Sequence, residues 1–383
     1  MKYDKDIYFD QAATSYPKPE CVYEAVTRTV RNEGGNPGRS GHRLSLAAAE
    51  RVLSVREALC RFFDAPSAER VVFTKNATEA LNLAIFSVLR GGGHALCSDL
   101  EHNAVLRPLA QLKREGTADF DVFESARLSE EYLASLLKNN TRLLVMTHAS
   151  NICGRVLDAS FVGAFCKKHG IIFVLDASQS AGHIPISLRE MNIDILCAPA
   201  HKGLYGIMGA GFAIFKEALS LPSFLQGGSG VYSLSDEMPT VLPERYEAGT
   251  LPVPAIAALG AALARVEQRG VEVIRAHIER LEKHLKSALL TRRGIRVLEA
   301  KAHGSGIISF THETISPATL AERLDEMGVA VRSGYHCAPL AHKTIGSIKT
   351  GTVRLSLGAS NTAEECDAFL ERLDKIVASD FSY

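Results

Sequence analysis

The chain has 383 residues, with 43 Lys and Arg set against 43 Asp and Glu. That balance argues against nucleic acid or an anionic membrane as the main partner, and no run approaches the roughly 18 apolar residues of a membrane span. At this length about three quarters of the unfolded surface can be buried, so neither a metal nor a disulfide is needed to hold the fold. The opening stretch MKYDKDIYFDQAAT carries charges where a secretion signal needs an apolar core, which gives the expectation of a soluble, cytoplasmic protein. The 8 cysteines form no CxxC pair, so a zinc ribbon is not expected. Cys97, Cys166 and Cys197 sit in apolar patterns and read as small buried hydrophobes. Cys337 stands apart, in the Gly- and Pro-flanked loop RSGYHCAPL.

From Val71 onward short apolar runs alternate with amphipathic stretches. VVFT (71–74), HALCSD (94–99), RLLVMTHAS (142–150), IIFVLDAS (171–178) and DILCAP (194–199) read as buried strands, the first two followed by helical patterns. Such a pattern predicts a mostly parallel sheet covered by helices on both faces. Past Gly249 come two long helical segments, then GIISFTH, a helix near 317–327, TVRLSLG and a last helix from Thr362. The expected organisation is a large α/β domain over 1–260 and, over 261–383, connecting helices with a smaller α+β domain.

Three stretches carry chemistry. In VVFTKNATEALN a strand gives way to a helix whose free N–H groups suit an anion, and Thr78 adds a hydroxyl; alternatively Asn76 or Thr78 only caps the helix. In FVLDASQSAGH, Asp176 ends a buried strand, where ligands of open α/β sheets bind. A carboxylate there calls for a cation such as a protonated ring nitrogen, unless it caps the next helix. In CAPAHKGLYGIMGAG, Lys202 follows a buried strand in a Gly-rich loop. Desolvated, it becomes a nucleophile for a carbonyl; exposed, it is an ordinary loop lysine.

Taken together, the ordered set Tyr8-Phe9-Asp10-Gln11-Ala12-Ala13-Thr14, Ala77-Thr78-Glu79, Glu101-His102-Asn103, Asp176-Ala177-Ser178-Gln179, His201-Lys202, Arg332-Ser333-Gly334-Tyr335-His336-Cys337 and Arg354-Leu355-Ser356-Leu357-Gly358 resembles the class V branch of fold-type I pyridoxal-phosphate enzymes. Within it, the set is similar to the cysteine desulfurase and selenocysteine lyase family. The resemblance spans nearly the whole chain. It implies pyridoxal 5'-phosphate carried on Lys202, with Asp176 at the pyridine nitrogen and His102 stacked on the ring. Gln179 and Asn151 are expected near the phenolic oxygen, with Asn151 also near the substrate carboxylate. Ala77, Thr78 and His201 are expected at the phosphate, and Thr250 at the phosphate of a second subunit in a homodimer. Arg354 is expected to clamp the substrate's α-carboxylate through paired donors, and Asn36, His42, Arg332 and His336 are carried as site-lining candidates.

The implied reaction takes sulfur from L-cysteine, leaves alanine and places a persulfide on Cys337 for an acceptor protein. An ordinary thiol is only a few per cent thiolate at neutral pH, so His336 and Arg332 are candidates to activate it. Two departures stand out: Pro199 replaces a hydroxyl residue that many relatives place three positions before the lysine, and Gly206-Ile207 replaces a Gly-Pro. The rival readings are a selenocysteine lyase, another aminotransferase-like enzyme, or a non-catalytic protein keeping the fold; Cys337 argues for sulfur or selenium chemistry. A metal site from His336, Cys337 and His342 lacks zinc-type spacing, and no metal is expected.

Overall fold

The computed structural model describes residues 6–38, 40–217, 219, 221–299 and 301–380. The chain opens with the short strand β1 (Ile7–Tyr8) and the helices α1 (Glu20–Asn32) and α2 (Arg43–Phe62). Strands and helices then alternate: β2 (Val71–Thr74), α3 (Ala77–Leu89), β3 (Gly93–Ser98), α4 (Asn103–Arg114), β4 (Ala118–Phe123), α5 (Glu130–Ser135), β5 (Thr141–Thr147), α6 (Ala159–His169), β6 (Ile172–Asp176), β7 (Ile195–Pro199) and β8 (Gly211–Phe215). The chain ends with α7 (Val253–Arg269), α8 (Val271–Leu290), β9 (Ile295–Val297), β10 (Ile307–His312), α9 (Pro317–Glu326), β11 (Val329–Ala330), β12 (Arg332–Gly334), α10 (Pro339–Thr344), β13 (Thr352–Ser356) and α11 (Ala363–Asp380).

β2 to β8 form one seven-stranded sheet in the order β2-β8-β7-β6-β5-β3-β4. All run in one direction except β8, which is antiparallel to both its neighbours. The central runs are apolar throughout because both faces are covered: every residue of β2, β7 and β8 is buried. One face packs in a core with Val52, Leu59, Phe173 and Phe212, the other with Leu81, Ile85, Val105 and Val145. This architecture gathers the C-terminal ends of β2, β3, β5, β6 and β7 along one edge, the usual ligand edge of an open α/β sheet.

β12-β13-β10-β9 form a separate antiparallel sheet. Its core includes Ile308, Phe310, Leu355 and Phe369, and also Ile7 and Phe9 from the start of the chain. The starting segment is stitched in by β1, parallel to β11, and by the Ser356 N–H donating to Phe9 O at 2.7 Å. Residues 9–18 thereby run between the small sheet and the ligand edge of the large one. Among the described residues no helix is long and apolar enough to cross a membrane.

Candidate functional site

At the β2–α3 junction Asn76 caps the helix, its side chain accepting from Glu79 N at 2.9 Å. Among the described residues the N–H groups of Ala77 and Thr78 have no protein acceptor, so capping and an open anion position coexist at this helix start. The turn is reachable only because Gly211 lies beneath it: a Cβ there would sit 2.5 Å from the Asn76 backbone. Ala77, Thr78, His102, Asn151, Asp176, Gln179, His201 and Lys202 all line one cavity with about 500 Å³ of empty space. Pro199 lines it too, closing the β7 end without a donor.

Asp176, the last residue of β6, is buried and accepts from Ser178 N at 2.9 Å. Burial lowers the Lys202 amine to about 8; Asp176 opposes that shift, and the Arg354 and Arg332 guanidiniums reinforce it. The lysine loop is held from behind. Ser15 N at 2.9 Å and Lys18 Nζ at 3.0 Å both donate to His201 O, and Tyr205 N donates to Lys202 O at 2.8 Å. His201 Nδ1 is buried with no partner, and burial, with Lys202 and Lys18 nearby, lowers its ring to about 4. His102 caps α4, its Nδ1 accepting from Ala104 N at 3.0 Å, so its proton sits on Nε2. Burial lowers that ring to about 4 against the pull of Asp176. A neutral imidazole thus lines the cavity while serving as a helix cap.

Glu101, which the sequence singles out only as a neighbour of His102, is fully buried. It joins β3 to β5, accepting from Ser98 Oγ and from Thr147 N at 2.8 Å, while its Oε2 has no partner. Burial raises its carboxyl to about 8, those two donors oppose the shift, and the Asp176 charge adds to it. A folded-state value above the unfolded one means the stabilisation is complete below the ordinary Glu range and is lost as pH rises through about 8. Wild type is therefore expected to lose a few kcal/mol of unfolding free energy between pH 5 and pH 8.5, whereas Glu101→Gln has no such group to ionise. Urea titrations at the two pH values check this; equal pH slopes for the two proteins would contradict it.

Arg354 enters from β13 and is 1 % exposed. Its Nη1 donates to Asn151 O at 3.1 Å and its Nη2 to Asp10 Oδ1 at 2.8 Å, while Nε is buried without an acceptor. Arg332 faces it across the β12–β13 pairing. The Asn151 side chain donates to His336 O at 2.7 Å, and Asn103 N donates to Cys337 O at 2.7 Å. His336 and Cys337 are consecutive left-handed residues, φ 47° and 58°, a strained backbone for non-glycine residues. Those two donors hold both carbonyls. Cys337 is exposed and lines a second cleft, of about 920 Å³, together with Thr78, His102, Arg107 and Lys343. The two cavities share Thr78, His102 and Ala104.

Burial, with Arg354, Arg332 and His342 nearby, lowers His336 to about 2, so this ring stands neutral. The His336 and His342 rings stack with centroids 5.9 Å apart. His336 Nε2 pairs with Thr352 Oγ1 at 3.0 Å and His342 Nδ1 with Ser347 Oγ at 2.7 Å. Among the described residues no group of three His, Cys, Asp or Glu is placed to hold a metal.

Asn36, His42 and Thr250 lie elsewhere. Asn36 and Thr250 line a separate cleft that shares no residue with the Lys202 cavity, and the Asn36 Nδ2 to Thr250 Oγ1 separation is 3.5 Å. His42 caps α2, accepting from Ser45 N at 3.3 Å. Asp10 and Glu101 are the site carboxylates to which the sequence assigns no role. Both stand within the quoted motifs, Asp10 two residues after β1 and Glu101 three residues after β3.

A family model described as aminotransferase class-V matches residues 7–369. A probable cysteine desulfurase of Methanothermobacter thermautotrophicus is 31% identical over 380 residues, covering 97% of this chain and 94% of the relative. One from Synechocystis is 31% identical over 388 residues, covering 97% and 91%. Among solved structures, the apo cysteine desulfurase of Thermococcus onnurineus NA1 superimposes with a TM-score of 0.89 at 29% identity, covering 98% of this chain and 95% of that one. An Escherichia coli cysteine desulfurase, in an S-sulfonic acid form, gives 0.88 at 26% identity, covering 97% and 95%. The alternation of buried strands and helices, the ligand edge bearing Asp176 and Lys202, and the extent of these matches agree: the chain belongs to the class-V aminotransferase family.

Proposed function

We propose that this protein is a pyridoxal-phosphate-dependent cysteine desulfurase that moves sulfur from L-cysteine to Cys337. The observation that carries the reading is an exposed cysteine, held in a strained loop, on a cleft that meets a cavity containing a half-buried lysine and a buried carboxylate. Solved cysteine desulfurases with the same fold support it.

The cavity fits the cofactor. It has an anion-ready helix start at Ala77 and Thr78, an unpartnered buried nitrogen on His201, a carboxylate at Asp176 for a ring cation, and in Lys202 an amine of lowered basicity for an aldehyde. When bound, pyridoxal phosphate supplies an electron sink for charge at the substrate α-carbon. Lys202 holds the cofactor at rest, then takes the α-proton and returns it. Arg354 and Asn151 orient the α-carboxylate. The Cys337 thiolate attacks the substrate sulfur, the S–S bond forms as the carbon–sulfur bond breaks, and reprotonated alanine leaves. Because His336 is neutral, the cations that line the Cys337 cleft, Arg107, Arg114 and Lys343, are assigned the role of favouring the thiolate. Thr250 and Asn36, outside the Lys202 cavity of their own chain, serve the site of a second subunit in a two-fold homodimer.

The test is a product analysis. With L-cysteine and a thiol reductant, equal amounts of alanine and sulfide are expected. Without reductant, the peptide containing Cys337 gains the mass of one sulfur. No alanine from cysteine, or the added sulfur on another cysteine, overturns the assignment.

A further inference from the structure

Three cations converge on the site: the Arg354 and Arg332 guanidiniums lower the basicity of Lys202, and the carboxylates that oppose them are Asp176 and Asp10. Asp176 belongs to the Lys202 cavity; Asp10 belongs to Arg354. A carboxylate grips a guanidinium best through two adjacent donors. On Arg354 one Nη1 N–H goes to the Asn151 carbonyl. Nη2, bonded to Asp10 at 2.8 Å, belongs to both two-donor edges of the guanidinium, the one with Nη1 and the one with Nε, which is buried and unbonded. Any carboxylate that grips two adjacent donors must share Nη2 with Asp10.

Asp10 has little freedom to withdraw. Its segment is stitched to the strand that carries Arg354. Ser356 N donates to Phe9 O at 2.7 Å and Gln11 N to Ser356 O at 3.3 Å. Ala12 N donates to Ser356 Oγ at 2.9 Å. The Tyr8 hydroxyl donates to Asp10 O at 3.2 Å. A backbone pinned on both sides of residue 10 holds the root of that carboxylate beside the guanidinium.

We propose that Asp10 is a fixed internal competitor for the substrate's α-carboxylate, neutralising Arg354 in the resting protein and setting how tightly the site holds amino acids. This rests on the proposed role of Arg354. Cysteine and alanine carry the same α-carboxylate, so a clamp with no competing charge would retain product as firmly as it takes substrate. Like-charge repulsion from Asp10 weakens both contacts and favours release of alanine. Asp10 is thus a positioning residue, absent from the chemical steps.

The test uses the holoprotein and L-alanine, titrated by calorimetry. In Asp10→Asn the dissociation constant for alanine is expected to fall roughly tenfold, the scale of removing one like charge from a partly screened site. The KM for cysteine is expected to fall with it. Asp10→Glu keeps the charge and is expected to show no tightening. Unchanged or weaker alanine binding in Asp10→Asn, or equal tightening in Asp10→Glu, overturns the proposal. Heat of alanine binding needs no turnover. A wild type that makes no alanine from cysteine, but shows these two responses, removes the desulfurase reading and leaves this one standing.

Discussion

Cys337→Ala is expected to keep cofactor and substrate binding and to lose alanine release from cysteine by about three orders of magnitude, the scale of removing a covalent nucleophile. The residue is exposed on a loop whose carbonyls at 336 and 337 are held by Asn151 and Asn103, so shortening the side chain leaves the Lys202 cavity and its lining intact. Cys337 alone of the eight cysteines lines either cavity. Cys97, Cys153, Cys166, Cys197 and Cys366 are buried. Burial pushes the thiols of Cys97, Cys166 and Cys197 up, and that of Cys366 up to about 12. A thiol so disposed is neither thiolate nor reachable. Alanine release and mass spectrometry on wild type and variant check this together. Equal release by the two, with no sulfur added to wild type, would leave the fold and take away the reaction.

Lys202→Ala is expected to abolish both covalent retention of pyridoxal phosphate and turnover. The same residue carries a pH signature. Burial lowers its amine from 10.5 to about 8, so the reactive neutral amine grows as pH rises and is about half populated near pH 8, where an exposed lysine is still almost wholly protonated. Apoprotein mixed with pyridoxal phosphate and trapped with borohydride should give attachment that rises with a midpoint near pH 8, on the peptide containing Lys202. A midpoint near that of a free lysine, or an adduct on another lysine that persists in Lys202→Ala, would show that the amine lies outside the site.

Local sequence was sufficient for the strands whose two faces are both covered. The stretches VVF, LLVM, IFVL and ILCA within them are apolar because helices lie over both sides. It was also sufficient for the smaller sheet's β10 and β13. Two strands of the large sheet escaped it. In β4, ADFDVF, charged residues alternate with apolar ones because it is the edge strand, beyond β3. In β8, GFAIF follows directly on the Gly-rich lysine loop, and its glycine is needed for the approach of Asn76. The reversal of β8 between β2 and β7 has no local signature, since an apolar run reads alike in both directions.

The same division holds in the site. By itself the sequence determined the candidates at strand ends and helix starts: Asp176, Lys202, Thr78 and His102 each follow a buried run, and the parallel sheet brings those ends to one edge. Only the tertiary structure decided what lies beyond a residue's neighbourhood. Asp10 meets Arg354 across 344 positions of sequence. Glu101 is sealed beside Asp176 with its carboxyl raised, and the His336 ring is held neutral. Asn36 and Thr250 share a cleft apart from Lys202. The physical reason is common to all four: burial and long-range charge set protonation and pairing, and both depend on which distant segments the fold packs together.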